Sequence, residues 1–483
     1  MNTNTTICEL ILTNRGQTKI NVDGYLMVKD KNRSNSYYWC CERRDTLKCN
    51  GRATTRLIDG QHYLRNTSDH NHAAEASRVG VIRTVNTLKE RAGETNEPPV
   101  QIIQNVHASS AHEIHPYLPT FDALRQSIKR IRRSELPVEP QSLEDLVVPE
   151  NLTTTFDGSN FLVRDSTINQ DRILIFTTAA NVRHLEQSPF WIMDGTFKTV
   201  PTIFTQLYTI HGRVGGNDNS RILPLVYALM SGKSEECYRQ LFQDLIDFSD
   251  EENIQLYPQF ILTDFEKAAI NAAQTEFPGV QNKGCHFHLA QNVYRKIQAH
   301  GLSTRYGTDE NFSLLIRHIP ALAFLAPDAI PAAFDQLRDN IPEEAGGIIQ
   351  WFDDNYVNGK LRRTLRDGSQ IRIPPLFPPI FWSVVDNIEY AFPRTTNSVE
   401  AWHRRWETVV GATHLGVFKI IREIRKEQNQ SQLEIESIMR GAPRPPQKLQ
   451  NRLRETRIQT VFNDHDNRPL MDFLRGLAHN MSF

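Results

Sequence analysis

Between residues 8 and 75 apolar and aromatic side chains come in short alternating runs, such as "GYLMVKD" and "NSYYWCCERR". That pattern predicts a small, strand-rich module. From 79 to 134 the apolar spacing lengthens, and "TVNTLKERAGE" and "TFDALRQSIKRIRR" read as helices. The proline- and acid-bearing stretch "SELPVEPQSLEDLVVPE" (134–150) reads as a linker. From about 158 the runs become longer and more apolar. "NFLVRD" and "RILIFTT" predict strands and "AANVRHLEQ" a short helix; "FWIMDGTF", "FTQLYTIHGRV" and "ILPLVYALMSG" predict a meander. A helix over "SEECYRQLFQDLIDFS", a strand in "QFILTD", a helix in "FEKAAINAAQTEF", a strand in "NKGCHFH" and a helix in "LAQNVYRKIQAHG" follow. The order β-β-β-α-β-α-β-α implies a mixed sheet with helices packed on it. Residues 303–390 read as mostly helical with proline-rich breaks, "TNSVEAWHRRWETVV" as the last strong helix, and the rest as a charged helical tail.

Composition narrows the class. The 483 residues exceed one ordinary domain, and 39% hydrophobic with 23% charged side chains fits a soluble globular protein. The net charge of −1 gives no global basic field, so nucleic-acid binding has to come from local patches. The N-terminus is not a convincing signal peptide, and no apolar stretch is long enough to span a membrane. Six cysteines, three of them near histidines, suggest metal-binding thiols in a reducing compartment rather than a disulfide framework.

Cys41, Cys49, His70 and His72 supply the four ligands that a structural zinc takes. Cys41 and Cys49 bracket the loop "ERRDTLK", consistent with a hairpin that joins two thiolates. His70 and His72, two apart, project to one face if their segment is extended. Cys40 is the competing ligand, and buried free cysteines with surface histidines are the plainer alternative. "GYLMVKD…YYWCCERRDTLKC…DHNH" resembles a FLYWCH-type zinc finger. In that family the cysteine after Trp-x is the ligand, which implies Cys41. Such modules bind DNA or proteins. Arg43, Arg44, Lys48 and Arg52, with Tyr37 and Tyr38, would suit phosphate and base contacts, or form a solvated face.

Asp194 closes the apolar run of "FWIMDGTFKTV", and Asp264 closes "QFILTD". Side chains at strand ends of an α/β sheet are where a shared site forms. Two neighbouring carboxylates repel unless a cation neutralises them, and magnesium favours such oxygens. Glu400, in the first turn of an amphipathic helix, is the candidate third ligand of a two-metal clamp on a scissile phosphate. The alternatives are a turn at Gly195–Thr196 for Asp194, a helix cap for Asp264 and a surface position for Glu400. Cys285 and His288, with His286 between them, either ligate a metal, contact the scissile strand, or are buried structural residues.

In order, "MDGTFK", "TDFEKA", "GCHFHLAQ" and "NSVEAWH" resemble the motif blocks of Mutator-like (MULE) transposases. The resemblance implies an RNase H-like α/β core with an all-helical insertion. It also implies a D-D-E triad carried by Asp194, Asp264 and Glu400, and a Cys/His motif carried by Cys285 and His288. The domain plan is then a zinc finger at 8–75, a helical DNA-binding or linker region at 79–150 and a first core part at 158–302. An insertion at 303–390, a glutamate helix at 391–430 and a helical tail at 431–483 complete it. Implied cofactors are structural zinc and catalytic magnesium or manganese. Implied partners are double-stranded DNA, as element terminal repeats and target, and a second copy of the chain, with no membrane and no nucleotide cofactor.

"LRQSIKRIRR" gathers Arg125, Lys129, Arg130, Arg132 and Arg133, for phosphate contact, nuclear import or a solvated helix face. "LMSGKSEE" contains Gly-Lys-Ser, but Tyr227 stands where a phosphate loop needs glycine, which argues against nucleotide hydrolysis. Trp402 and Trp406 sit at i, i+4 and read as core. The leading expectation is a nuclear cut-and-paste DNA transposase. The alternatives are a domesticated DNA-binding regulator that kept the fold and lost transposition, and a structure-specific nuclease.

Overall fold

The computed structural model describes residues 6–12, 18–95, 97–134, 137–216, 218–446 and 448–481, in two compact units, Met1–Val138 and Glu139–Phe483. In the first unit, strands β1 (Ile7–Leu12), β2 (Thr18–Val22), β3 (Tyr25–Arg33), β4 (Ser36–Cys41), β5 (Arg52–Ile58) and β6 (Gln61–Thr67) form a closed barrel. All neighbours are antiparallel, and β6 returns to β1. Closure leaves no strand edge free to pair with another chain. The barrel interior is built on Ile20, Met27 and Trp39. Its buried polar groups are paired: the Trp39 indole donates to Thr55 Oγ1 at 2.8 Å, and that hydroxyl lies 2.9 Å from His62 Nδ1.

Helices Ala76–Glu94, Pro99–Ser109 and Phe121–Ser134 pack around Leu88, Ile102, Val106, Leu124 and Ile128. Arg132 fans out to the carbonyls of Ala92, Thr95 and Glu97, closing the end of the first of these helices. Its guanidinium thus has a local role in tying these helices together. Arg125, Lys129 and Arg130 are exposed on the same helix, and the Arg133 side chain lies outside the described residues.

In the second unit, strands β7 (Leu162–Ile168), β8 (Asp171–Phe176), β9 (Phe190–Thr196), β10 (Gln206–Val214), β11 (Arg221–Met230), β12 (Phe260–Thr263) and β13 (Gln281–Gly284) form one sheet. Its order is β13-β12-β9-β10-β11-β8-β7. The meander β9-β10-β11 is antiparallel, whereas β12 runs parallel to both β9 and β13. Central strands buried on both faces read as continuous apolar runs, which is why "FWIM" shows no alternation. Alternation still decides which face each residue serves. Trp191 and Met193 pack with the helices Glu235–Glu251 and Lys267–Glu276; Phe190 and Ile192 join Phe260, Leu262, Cys285 and Val399 on the other side.

Three expectations need correction. The insertion is not all-helical: β14 (Lys360–Thr364) and β15 (Gln370–Ile373) form an antiparallel hairpin. Almost every residue of this pair faces water, so no period-2 apolar signal marked it. Residues after 430 are not a tail. The helix Val417–Met439 continues across that boundary, with Gln428 bonded to Asn181 and Ile438 in the sheet core. Helices Leu449–Asn463 and Leu470–Ala478 bury Ile458, Phe473, Leu474 and Leu477 in the core of the insertion. Finally, only part of 134–150 is free to link. Leu146 is buried, and the carbonyls of Leu143 and Leu146 accept from Arg172.

Candidate functional sites

The parallel register pairs Phe260 with Phe190 and Leu262 with Ile192. Two residues further on stand Asp194, within β9, and Asp264, just past the end of β12, so alternation puts both on the face that carries Val399. Asp194 does not mark the strand's solvent-facing end, because Gly195 and Thr196 continue to pair with Tyr208 and Leu207. Its side chain is only 10% exposed. One carboxylate oxygen accepts the Gly195 N–H at 2.8 Å, and Asp264 accepts the Glu266 N–H at 3.1 Å. Glu400 lies in the first turn of the helix Asn397–Val410, with Oε1 buried and no hydrogen-bond partner among the described residues.

Burial and the negative charges of Asp264 and Glu400 push the Asp194 carboxyl up to about 7. Burial also raises Asp264, against the pull of the Glu266 N–H and Lys233, and raises Glu400. Two buried like charges cannot both ionise at ordinary pH without a cation. The donors are all carboxylate oxygens, the set a hard divalent ion takes, and one of them has no other partner. The residues fit such an ion.

Two further groups face this site. His403 follows Glu400 by three positions on one helix face, and its Nδ1 lies 3.8 Å from Asp194 Oδ2. Burial lowers His403 and His288 to about 4 each, and His403 Nε2 and His288 Nδ1 are buried without hydrogen-bond partners among the described residues. Lys233 forms an ion pair with Glu266 at 2.8 Å and lies 4.7 Å over the Phe197 ring. Sequence reasoning missed both. His403 stood inside the quoted "EAWH" but was overshadowed by its tryptophan neighbours, and Lys233 was weighed only as part of a failed phosphate loop.

Cys285 plays a different part from the carboxylates. It is fully buried, and burial pushes its thiol up to about 11. It accepts the Thr396 N–H at 3.3 Å and lies 3.4 Å from Thr396 Oγ1, at the start of the Glu400 helix. His286 bonds the Pro320 carbonyl at 3.1 Å, a satisfied core histidine.

In the barrel, Cys41, Cys49, His70 and His72 offer ligand atoms that all lie within 4.8 Å of one another. Among the described residues no other group of three or more such side chains is placed in this way. Cys41 Sγ is 3.2 Å from His72 Nε2, and Cys49 Sγ 3.4 Å from His70 Nδ1. The backbone N–H groups of Arg43 and Gly51 point at the two sulfurs. The remaining nitrogen of His72 lies 2.9 Å from the Ala73 carbonyl, which orients the ring. Tyr25 stacks on His70 at 3.7 Å, and a Cβ at Gly51 would collide with the same imidazole. Burial, with His72 alongside, holds His70 below its ordinary pKa and hence neutral, the form that ligates. The four residues fit a zinc ion.

The structure differs from the sequence reading in the local backbone. His70 to His72 form a bend rather than a strand, and the loop between the cysteines carries a helical turn, Arg44–Leu47. Cys40 points elsewhere, its thiol 3.7 Å from the Val28 carbonyl. Arg43 pairs with Glu75, and Arg44 with Asp45 and Asp30, whereas Lys48 is exposed.

The molecule thus combines a β-barrel carrying a Cys2His2 cluster with an α/β unit carrying a buried acidic site. Residues 10–72 match the family model of the FLYWCH zinc finger domain, and residues 190–292 that of the MULE transposase domain. The first match spans all four Cys/His residues; the second spans Asp194, Asp264, Cys285 and His288, and Glu400 lies beyond it. No curated protein matches the chain. The chain thus carries a FLYWCH-type zinc finger domain followed by a MULE transposase-type domain, a pairing that suggests a transposase-related, DNA-binding function.

Proposed function

We propose that this chain is a D-D-E-type DNA transposase that binds the ends of a mobile element and carries out metal-dependent cleavage and strand transfer. The observation that carries the reading is the Asp194–Asp264 pair. The parallel strands β9 and β12 bring two acids together in a buried place, where burial raises both carboxyls and the charge of Asp264 raises Asp194 further. The order β11-β10-β9-β12-β13, an antiparallel meander continued by parallel strands, supports an RNase H-like core. That core is split between 158–302 and the helix of 391–430.

On this reading Asp194, Asp264 and Glu400 hold magnesium or manganese. When bound, the metal supplies Lewis-acid polarisation of the scissile phosphate and lowers the pKa of the attacking water. The chain's own groups position and screen. The Gly195 and Glu266 N–H groups orient the two aspartates, and Lys233 offsets part of their charge. His403, neutral at ordinary pH, presents Nδ1 toward Asp194, and His288, also neutral, lies near enough to His403 to lower it further. Cys285 acts through Thr396 to seat the Glu400 helix, which makes it a positioning residue. Zinc held by Cys41, Cys49, His70 and His72 orders the barrel, and Lys48, Arg125, Lys129 and Arg130 are left exposed for phosphate contact. Element ends act in pairs, so self-association and a nuclear location follow from the same reading.

The test is cleavage of duplex DNA carrying the repeats that flank the coding sequence, with and without magnesium. Strand-joined products abolished by Asp194→Asn and by Glu400→Gln are expected. Unchanged cleavage in either variant would show the site to be misassigned. DNA binding without cleavage by the unaltered protein would favour a regulator that has lost the chemistry.

A further inference from the structure

The hairpin β14–β15 contributes little to the core of the insertion. Every residue from Lys360 to Gln370 is exposed, so β14 shows water both of its faces. An isolated two-stranded ribbon of this kind is marginal alone, and here only its base is anchored. Arg372 reaches the buried Asp353 carboxylate at 3.1 Å and the Gly359 carbonyl at 2.8 Å. Gly359, at φ +83°, has the Ile373 carbonyl so close that a Cβ would collide with it, and this fixes where the two strands leave the body. The tip is tied by a Leu365 N–H···O Ser369 bond of 2.8 Å, and Asp367 accepts from the Ser369 N–H and hydroxyl.

What the ribbon displays is charge of one sign. Lys360, Arg362, Arg363 and Arg366 stand on it against the single acid Asp367, whose carboxylate is engaged within the turn. Among the described residues none of these four cations has an ion-pair partner, in contrast to Arg338 and Arg372 at the base, which share Asp353. Arg362 sits where the strand register shifts, a bulge that increases local twist. On a protein whose net charge is −1, four unpaired cations on one projecting ribbon are a local field, not part of a general one.

We propose that the β14–β15 ribbon is a second DNA-contacting element, laid against the phosphates of a duplex groove through Lys360, Arg362, Arg363 and Arg366. Its two strands have the dimensions that a major groove admits. The ribbon supplies phosphate contacts that fix register on the duplex, and sequence selection is left to other parts of the chain. This inference rests on the DNA-directed reading of the protein and does not depend on the carboxylate site.

The experiment uses the full chain loaded with zinc and a short fluorescein-labelled duplex of arbitrary sequence, with affinity followed by anisotropy over a range of salt concentrations. Removing one cation from a phosphate lowers the log–log salt slope by about 0.9. The triple variant Arg362→Gln, Arg363→Gln, Arg366→Gln should therefore reduce the slope by about two to three and weaken binding by about tenfold or more at ~0.1 M salt. Its side chains are exposed, and an unchanged circular dichroism melt will show that the fold is intact. If the variant binds with the parent's affinity and slope, the ribbon is not a DNA contact, although the DNA reading stands. If the unaltered chain itself fails to bind duplex, the DNA reading falls with it.

Discussion

The Cys/His cluster and the carboxylate site solve opposite problems. The cluster draws its four residues from 32 positions of one small barrel, Cys41 to His72, and its ligand atoms already converge within 4.8 Å. The acids come from one strand, the residue just past a second strand and a distant helix, Asp194 to Glu400, with their carboxyls shifted upward by burial. In the barrel the site helps to hold the fold, because a domain of that size has a limited core. In the α/β unit the fold holds the site. A large sheet core keeps together charges that would otherwise separate.

The largest expected effect breaks the first half of that comparison. Cys41→Ala, or removal of zinc by a chelator, should unfold the barrel. Structural zinc in small modules is worth about 10–16 kcal/mol of apparent binding energy. Zinc content and protease sensitivity would report the loss, with cleavage confined to the N-terminal unit. If the barrel stays protected without zinc, its core rather than its cluster holds it.

Asp194→Asn should break the second half in the reverse sense, losing function while gaining stability. Cleavage should drop by about a thousandfold or more, as expected when charge stabilisation worth several kcal/mol is removed. The sign of the stability change follows from linkage. The folded-state carboxyl is raised to about 7 from 3.8, so its contribution is fully present below about pH 4 and is lost as pH rises through about 7. Above that pH, without metal, the variant should be the more stable by up to about 4 kcal/mol. Melts at pH 5 and pH 8 would show it, and magnesium should narrow the gap by stabilising only the parent.

His403→Gln tests a subtler point, whether the histidine beside Asp194 supports ion binding. Manganese affinity, followed by electron paramagnetic resonance, should fall by about tenfold, in the range for loss of a supporting group around a metal site. An unchanged isotherm would make His403 a packing residue. The smallest effect belongs to Cys285→Ala, which deletes one buried N–H···S bond at the start of the Glu400 helix. It should cost about 1 kcal/mol. A weaker metal response at near-parent stability would confirm that the thiol works through helix position, whereas an effect on the melt alone would make it packing.

How much of this was legible depended on how each signal is generated. Strand β9 was readable because burial on both faces demands an unbroken apolar run, and an acid at its close stands out. The face shared by Asp194 and Asp264 followed only once the β9–β12 register was known, because neighbours in a sheet are not neighbours in the chain. The Cys/His set was legible because thiols and imidazoles are scarce. The bend that presents His70 and His72 was not, because short polar loops leave no periodic trace. The hairpin and the last helices were misread for different reasons. The hairpin has no buried face to pattern it; Leu449–Asn463 mixes four charges with its apolar residues and buries only Ile458, whereas Leu470–Ala478 is mostly apolar and was absorbed into the charged tail that precedes it.

The most direct test of the central claim is anomalous scattering from crystals of the protein soaked in manganese. The account predicts a peak between the Asp194 and Asp264 carboxylates on the side of Glu400, absent in Asp194→Asn crystals. Manganese bound elsewhere, with the three acids left without a cation, would contradict it.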